Sequence, residues 1–415
     1  MEIFAGIMEE KIREYARLVV CTGVNVQPGQ EIVIQCPAEH YAFGRLLVEE
    51  AYKAGAGEVI VHWSDSFCSR QFYQNVSEER LAFVPEWLAQ SRNYYSRRGA
   101  GYISVAGGDP EAFKGIEPGR MRVRDAAMDR AMKEHYKLMM ASEIPWTVAA
   151  VPQKVWAAKV FPGLEEEKAM SRLWESILKA VRIDGGDAVK AWEEHDRFLK
   201  EKCRMLNDYG FARLHYQNRI GTDFTVGLVK GHIWEGGSEQ AGTGTIFEAN
   251  MPTEEIFTMP DNRIAEGTLV SAMPLSHNGY LIRDFRLTFR DGQVVDYAAG
   301  EGEEMLKSLL ETDEGSRRLG EVAIVPHGSP ISRMNTLFYN TLFDENASCH
   351  FALGHCYPTT VKGGAAMSEE ELAAVGGNSS ANHVDFMVGT EDLCITGIRE
   401  NGEKICFFEN GAWVK

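Results

Sequence analysis

Residues 31–62 have the sequence EIVIQCPAEHYAFGRLLVEEAYKAGAGEVIVH, and their pattern gives the clearest indication of how the first half of the chain folds. Its two ends, 31–35 and 58–62, are short apolar runs typical of buried strands. Between them, apolar residues recur at helical spacing, at Phe43, Leu46, Leu47 and Ala51. Gly55 and Gly57 then end the helix. The stretch therefore predicts one strand–helix–strand unit.

The same alternation continues to about residue 208. Further strands are predicted at 102–106 and 146–151. Helical patterns lie between and after them, at 78–97, 120–142, 164–183 and 187–206. Repeated alternation of strand and helix predicts a mostly parallel sheet covered by helices. We therefore expect an N-terminal α/β domain at 1–208.

The pattern changes after residue 208, where glycine becomes frequent and short β-rich runs dominate. Strands are predicted at 224–229, 281–289, 321–325, 384–388 and 404–408. Only two helices are predicted, at 301–312 and 334–342. This half is expected to be an α+β, β-rich catalytic domain at 209–415.

Composition excludes several classes of function. The chain has 415 residues and a formal net charge of −17, which disfavours nucleic acid and anionic membranes as partners. The same charge suits metal ions and free amino termini, although it also serves solubility alone. No run is apolar enough for a membrane span, and the N-terminus lacks a signal-peptide pattern. The eight cysteines form no regular framework, so we expect a cytoplasmic protein with reduced thiols.

Glycine-rich turns offer an alternative interpretation, a nucleotide-binding site. Gly99–Gly101 and Gly107–Asp109 flank one predicted strand, but neither is a G-x-G-x-x-G motif or a P-loop. Tight turns explain these glycines better than a phosphate-binding loop does.

The first chemical signal is Asn382-His-Val-Asp385 in a predicted strand. Alternate side chains of a strand share one face, so His383 and Asp385 point the same way. An imidazole beside a carboxylate suits Zn, Co or Mn, whereas two solvated polar residues on a surface strand are the simpler alternative.

Other candidate ligands are scattered through residues 250–350. Glu321 begins an apolar strand, and only one of Glu254 and Glu255 can face inward from an extended segment. Asp344, Glu345 and His350 follow a predicted helix. Together with His383 and Asp385, these pieces offer three carboxylates and two histidines beyond the spare residues, which is about what two adjacent metals need.

The pairs Cys349-His350 and His355-Cys356 have the residue types of a zinc site. Histidines five residues apart lie on opposite faces of a strand, and the cysteine spacing is not that of zinc sites. We therefore expect His350 to be a ligand, His355 to be structural, and the cysteines to be small buried residues.

Several longer motifs resemble those of the thermophilic-type metallo-aminopeptidases, peptidase family M29. They are Asn250-Met-Pro-Thr-Glu-Glu-Ile-Phe-Thr258, Thr312-Asp-Glu-Gly-Ser-Arg-Arg-Leu-Gly-Glu-Val322, Asn340-Thr-Leu-Phe-Asp-Glu-Asn346 and His383-Val-Asp-Phe-Met387. Their order and spacing also match, so the resemblance extends along the chain. One departure is His355, where the family more often has a polar amide.

The resemblance implies a site and its cofactors. The metal ligands implied are Glu255, Glu321, His350, His383 and Asp385, with Glu345 as a further carboxylate at the metals. Tyr357 falls on the catalytic tyrosine, and Glu321 or Glu345 would act as the proton-transferring carboxylate. The cofactors implied are two divalent metal ions per subunit, Zn, Co, Mn or Mg. The family also implies a homodimer that encloses an inner cavity.

The resulting prediction is an aminopeptidase of broad specificity that removes N-terminal residues from peptides by means of a dinuclear metal-activated water. Peptides with a free N-terminus are the expected partners. Two alternatives stay open: a metal-dependent amidase or esterase that acts on a non-peptide substrate, and a non-catalytic metal-binding protein. A cysteine-nucleophile hydrolase is disfavoured, because no cysteine lies in a recognisable Cys/His arrangement.

Overall fold

The structure is a computed structural model that describes residues 7–277 and 279–414. The first six residues of the stretch without a signal-peptide pattern therefore lie outside the described residues. Within the described ranges, no helix is both long and apolar enough to cross a membrane.

The helices are numbered in chain order. They are α1 (Ile7–Leu18), α2 (Tyr41–Lys53), α3 (Ser66–Asn75), α4 (Glu78–Leu81), α5 (Glu86–Arg97), α6 (Pro118–Ala131), α7 (Lys133–Met140), α8 (Lys154–Val160), α9 (Glu166–Ala180), α10 (Ala188–Tyr209), α11 (Glu303–Leu310), α12 (Thr341–Asp344) and α13 (Glu369–Val375).

The strands are numbered in the same way. They are β1 (Glu31–Pro37), β2 (Glu58–Ser64), β3 (Gly101–Ala106), β4 (Trp146–Ala150), β5 (Arg213–Gln217), β6 (Asp223–Leu228), β7 (Glu239–Gln240), β8 (Ile246–Phe247), β9 (Asn250–Met251), β10 (Ile256–Thr258), β11 (Pro260–Val270), β12 (Leu275–His277), β13 (Tyr280–Ile282), β14 (Arg286–Arg290), β15 (Gln293–Ala298), β16 (Leu319–Ile324), β17 (His350–Gly354), β18 (His383–Met387), β19 (Cys394–Ile398), β20 (Lys404–Glu409) and β21 (Ala412–Trp413).

The chain divides into two compact units. The first contains the chain up to Glu194 together with Ser238–Pro252, and the second contains His195–Gly237 together with Thr253–Lys415. The chain thus passes from one unit to the other within α10, and 238–252 returns to the first. The domains 1–208 and 209–415 remain a prediction. The compact units differ from them because the division falls within α10 and because 238–252 belongs to the first unit.

The first unit is built on a five-stranded sheet with the order β2-β1-β3-β4-β9. Every neighbouring pair is parallel, as the alternation of strand and helix predicts. Ile32, Val33 and Ile34 are fully buried, because helices cover both faces of a parallel sheet. The α/β half of the fold prediction is therefore confirmed.

The second unit contains an eight-stranded sheet, β15-β14-β11-β6-β5-β19-β20-β21, and a four-stranded sheet, β10-β16-β17-β18. All pairings in both sheets are antiparallel. Phe351 of the smaller sheet packs edge-to-face on Tyr216 of the larger at 5.0 Å, and Phe386 packs on Phe285 at 5.9 Å. One face of the four-stranded sheet is thus apolar. Because strand side chains alternate, the residues next to Phe351 and Phe386 in their strands point to the other face. The β-rich half of the prediction is also confirmed.

The predicted helix at 334–342 is wrong. Only the single turn Ser332–Met334 and the short α12 form, because Asn335 and Tyr339 adopt positive φ angles of 45° and 55°. The Asp344 carboxylate accepts the backbone N–H groups of Phe338 (2.7 Å) and Asn340 (3.0 Å). A side chain that captures local N–H groups competes with helix formation.

Two further sequence predictions need correction. The strand predicted at 281–289 is two strands, β13 and β14, because Asp284 between them has a φ of 49°. The helix predicted at 78–97 is α4 and α5, which Pro85 separates.

Candidate metal centre

The four-stranded sheet aligns the acidic side chains of the site. In the antiparallel register, Glu321 of β16 lies opposite Ala352 of β17, and Ala352 lies opposite Asp385 of β18. Directly opposed residues share a face, so both carboxylates point to the side away from Phe351 and Phe386. Ala352 is small, and this leaves space between the two carboxylates.

The two histidines point to the same face as these carboxylates, because strand side chains alternate. His350 is two residues before Ala352, and His383 is two residues before Asp385. Each ring is held through Nδ1 at a backbone carbonyl, His350 at Ser348 O (3.0 Å) and His383 at His355 O (2.8 Å). A carbonyl acceptor at Nδ1 fixes the ring and leaves Nε2 free to act as a ligand.

Glu255 reaches the site from the segment that precedes β10. Ile256 pairs with Ile324 of β16, and this pairing brings the adjacent Glu255 to the edge of the sheet. The backbone N–H of Glu254 donates to Asn346 Oδ1 at 2.6 Å, and Asn346 is fully buried. Asn346 Nδ2 donates to Leu342 O (3.0 Å) and to Glu345 Oε1 (3.3 Å). One amide therefore links the Glu255 segment to the Glu345 carboxylate.

The distances define two groups of three side chains. His350 Nε2 lies 3.0 Å from Glu255 Oε2 and 3.6 Å from Glu321 Oε1. His383 Nε2 lies 3.2 Å from Glu321 Oε2 and 3.5 Å from Asp385 Oδ1. In each group the candidate ligand atoms all lie within 4.8 Å of one another. Glu321 belongs to both groups and turns one carboxylate oxygen towards each histidine.

Burial and charge shift the pKa values of these groups strongly. Burial opposes the charged form of Glu321, but hydrogen bonds from His350 and His383 outweigh burial and lower its pKa. Burial likewise opposes the charged imidazolium of both histidines, yet the surrounding carboxylates raise the pKa of each. Burial raises the pKa of Glu255, and His350 only partly offsets this rise.

Two more residues predicted for the site, Glu345 and Tyr357, lie beside these two groups. Glu345 is part of the turn Glu345–Ala347, and its pKa is raised by burial and then by the Glu255 and Asp385 charges. Burial, followed by the nearby carboxylates, also raises the pKa of Tyr357, so its hydroxyl keeps its proton. The Tyr357 ring packs edge-to-face on His383 with centroids 4.8 Å apart.

We call Glu255, Glu321, Glu345 and Asp385 the carboxylate cluster. Among residues 7–277 and 279–414, no Lys or Arg side chain lies within 4.0 Å of these four carboxylates. Buried carboxylates need positive charge, and among those described residues only histidine supplies it within that distance. The donor set of carboxylate oxygens and imidazole nitrogens fits divalent cations of the Zn, Co, Mn and Mg class.

Other candidates from the sequence lie elsewhere. Glu254 points to His195, with Oε2 3.7 Å from Nε2, and Asp344 caps its own loop. His355 contributes its backbone carbonyl rather than its ring, and Cys349 and Cys356 are free buried thiols.

Two residues that shape the site, Ala352 and Asn346, were not predicted from the sequence. Strand alternation places Ala352 on the face of His350 and could have identified it. No local pattern identifies Asn346, because its partner Glu254 lies 92 residues away.

A carboxylate shared between two histidine-containing groups, on one face of a buried sheet, is the arrangement of a metal-dependent hydrolase. Comparison with known proteins gives the family. A model of the family described as thermophilic metalloprotease (M29) matches residues 8–413, and the chain belongs to that family. The resemblance found in the motifs is therefore confirmed, and so is the prediction of a hydrolytic enzyme.

Related proteins match along almost their full length. The chain is 44% identical over 404 residues to aminopeptidase AmpS of Bacillus subtilis (strain 168), covering 97% of this chain and 98% of that protein. It is 43% identical over 407 residues to aminopeptidase PepS of Streptococcus thermophilus, covering 98% of each. The solved structure of wild-type AmpT from Thermus thermophilus superposes with a TM-score of 0.91 at 38% identity, covering 98% of this chain and 100% of that one.

Proposed function

We propose that this protein is a metal-dependent aminopeptidase that removes the N-terminal residue from peptides, with two divalent cations (Zn, Co, Mn or Mg) bound per subunit. The observation that carries the proposal is the position of Glu321, whose two carboxylate oxygens face two different histidines. The names of the M29 relatives, all aminopeptidases, supply the reaction class.

The residues of the site divide into holding groups and reacting groups. Glu255 and His350 would hold one cation, His383 and Asp385 the other, and Glu321 would bridge them. When bound, such cations supply Lewis-acid polarisation of a carbonyl and a water of lowered pKa. The backbone carbonyls behind both histidines keep the Nε2 atoms aimed at the ions.

Tyr357 and Glu345 are the proposed reacting groups. Tyr357 Oη keeps its proton and would donate a hydrogen bond to the oxyanion of the tetrahedral intermediate. Glu345 lies outside both ligand groups, so its carboxylate would be free to carry a proton from water to the leaving amine. Both oxygens of Glu321, by contrast, are directed at histidines.

The free amino terminus of the substrate is a cation, and the carboxylate cluster would attract it. Binding of that terminus beside the site would limit cleavage to the first residue. Broad specificity for that residue and a homodimer with an inner cavity, both implied by the motifs, are part of this proposal.

The test compares hydrolysis of one peptide with a free and with an acetylated N-terminus, before and after chelation. We expect cleavage of the free peptide only, loss of activity on chelation and recovery on adding back a divalent ion. Equal cleavage of both peptides would instead favour an amidase of wider scope. A protein that binds metal but cleaves neither would be a non-catalytic metal-binding protein.

A glutamate variant separates the roles at position 345. Glu345→Gln should keep its bound metal and lose turnover if Glu345 transfers the proton. Loss of metal from this variant would make Glu345 a ligand.

A further inference from the structure

The strand order of the first unit reverses at a defined place. The chain goes from β1 to β2 on one side and then crosses back to β3 on the other, so the order reverses between β1 and β3. In open parallel sheets, ligands bind outside the carboxyl ends of the strands at such a reversal. Near those ends, Gln35 of β1 is in register with both His62 of β2 and Ser104 of β3.

These three polar side chains face the helices α5 and α7. Two residues earlier in each strand, Val33, Ile60 and Tyr102 pack with Tyr95 of α5 and with Leu138 of α7. Because strand side chains alternate, Gln35, His62 and Ser104 point to the same side as that apolar layer.

Arg92 lies on α5, the helix that packs against this side of the sheet. It precedes Tyr95 by three residues and Ser96 by four, which places all three on one face of the helix. Ser96 Oγ lies 2.7 Å from the Tyr102 hydroxyl, and that hydroxyl also donates to the Arg92 carbonyl at 2.9 Å. The helix face that carries Arg92 is therefore packed on β3.

We call Gln35, His62, Arg92 and Ser104 the switch-point cluster. None of these side chains has a hydrogen-bond or ion-pair partner within the described residues, 7–277 and 279–414, although all four are partly buried. Arg92 Nε and His62 Nε2 are the most enclosed, each without solvent contact. Some arginines of this unit do have carboxylate partners: Arg97 pairs with Glu134 at 2.8 Å and Arg98 with Glu31 at 2.8 Å.

The electrostatics point to a missing negative charge. Burial lowers the pKa of Arg92, and burial followed by the Arg92 charge lowers the pKa of His62 and of His135. A partly buried guanidinium with no counter-ion is destabilising. An anion at this position would neutralise it.

We propose that the switch-point cluster is a binding site for a small oxyanion, a carboxylate or a phosphate. The Arg92 guanidinium is a rigid fork of N–H donors that matches either group. The Gln35 amide and the Ser104 hydroxyl add neutral donors, and His62 adds a ring nitrogen. Partial exposure of all four side chains lets a small ion reach them.

Calorimetric titration of the full-length protein, as purified, with inorganic phosphate and separately with acetate tests the site and distinguishes the two sources. We expect saturable binding of at least one of them to one site per chain. Arg92→Gln should weaken that binding at least tenfold, and Ser104→Ala should weaken it several-fold. Arg122→Gln, which removes an exposed arginine on α6, is the matched control and should not change it.

Anions also bind metal ions, so Glu321→Gln is the second control. Binding that survives in Glu321→Gln and disappears in Arg92→Gln belongs to the switch-point cluster. Absence of binding by both anions, or equal binding by wild type and Arg92→Gln, would overturn the proposal. If Arg92→Gln does not fold, unchanged affinity in Ser104→Ala would overturn it as well.

Discussion

Each compact unit contains a group of titratable side chains, largely buried in the second unit and partly buried in the first, and the two groups have opposite charge. In the second unit, burial opposes the charged form of His350 and His383, but hydrogen bonds and charges of neighbouring carboxylates outweigh burial and raise the pKa of both rings. In the first unit, burial and the charge of Arg92 lower the pKa of His62 and His135. Burial lowers the pKa of the imidazole in both units; the carboxylates reverse this effect in the second unit, whereas the Arg92 charge adds to it in the first.

The two groups lack charges of opposite sign. The carboxylate cluster has too little positive charge and fits cations, whereas the switch-point cluster has an unneutralised cation and fits an anion. Three variants and one change of pH test this contrast, in order of decreasing expected effect.

Loss of a shared ligand should have the largest effect. Glu321→Gln should fold and lower kcat/KM at least about 1000-fold, because the proposed ions would supply several kcal/mol of transition-state stabilisation. Anilide hydrolysis measures the loss, and Glu409→Gln, an exposed carboxylate of β20, is the matched control. Full activity in Glu321→Gln would remove the site assignment.

Tyr357→Phe should lower kcat by about 100- to 1000-fold, which is the usual cost of removing one oxyanion donor. The hydroxyl carries no ligand role in this account, so metal content should be unchanged. Elemental analysis beside the kinetics decides the point, since metal loss would identify Tyr357 as a ligand.

His135 should make the first unit sensitive to acid. Burial lowers its pKa to about 4, against an ordinary value of 6.5. Above pH 6.5 the ring is neutral in both the folded and the unfolded state. As pH falls from 6.5 towards 4, only the unfolded chain gains the proton, so the folded state loses about 3 kcal/mol.

Urea unfolding of wild type and His135→Gln at several pH values measures this effect. The stability of wild type relative to the variant should fall as the pH is lowered through that window. A constant difference from pH 7 to pH 4 would show that His135 does not titrate in this way.

Asn346→Ala should weaken metal binding by about 10- to 100-fold, the usual cost of losing a residue that orients ligands. Asn378→Ala is the matched control, because Asn378 is also buried but donates to the carbonyls of Gly315 and Gly354. Both variants should lose about 1–3 kcal/mol of stability through unmatched polar groups. Equal metal affinity in the two variants would assign Asn346 a purely structural role.

Much of the fold could be predicted because its signals are local. Strand–helix alternation identified the parallel sheet, and alternation within β18 placed His383 and Asp385 on one face. The predicted helix at 334–342 failed because Asp344 captures backbone N–H groups there. Helical periodicity does not reveal that competition.

The convergence of the site depends on register between distant strands. Glu321 meets Asp385 only because each lies opposite Ala352, and residue spacing does not fix such a register. The motifs supplied these residues through resemblance, and their role as ligands stays a prediction. The switch-point cluster had no motif, since Gln35, His62 and Ser104 resemble ordinary strand residues until strand order is known.

If Glu321 binds two ions at once, its loss should remove both, and the number of metal ions per chain shows whether it does. Purified wild type, Glu255→Gln, Asp385→Asn and Glu321→Gln would each be loaded with one divalent metal and analysed for ions per chain. We predict two ions in wild type, one in Glu255→Gln, one in Asp385→Asn and none in Glu321→Gln. A Glu321→Gln variant that holds as many ions as Glu255→Gln would contradict a shared carboxylate.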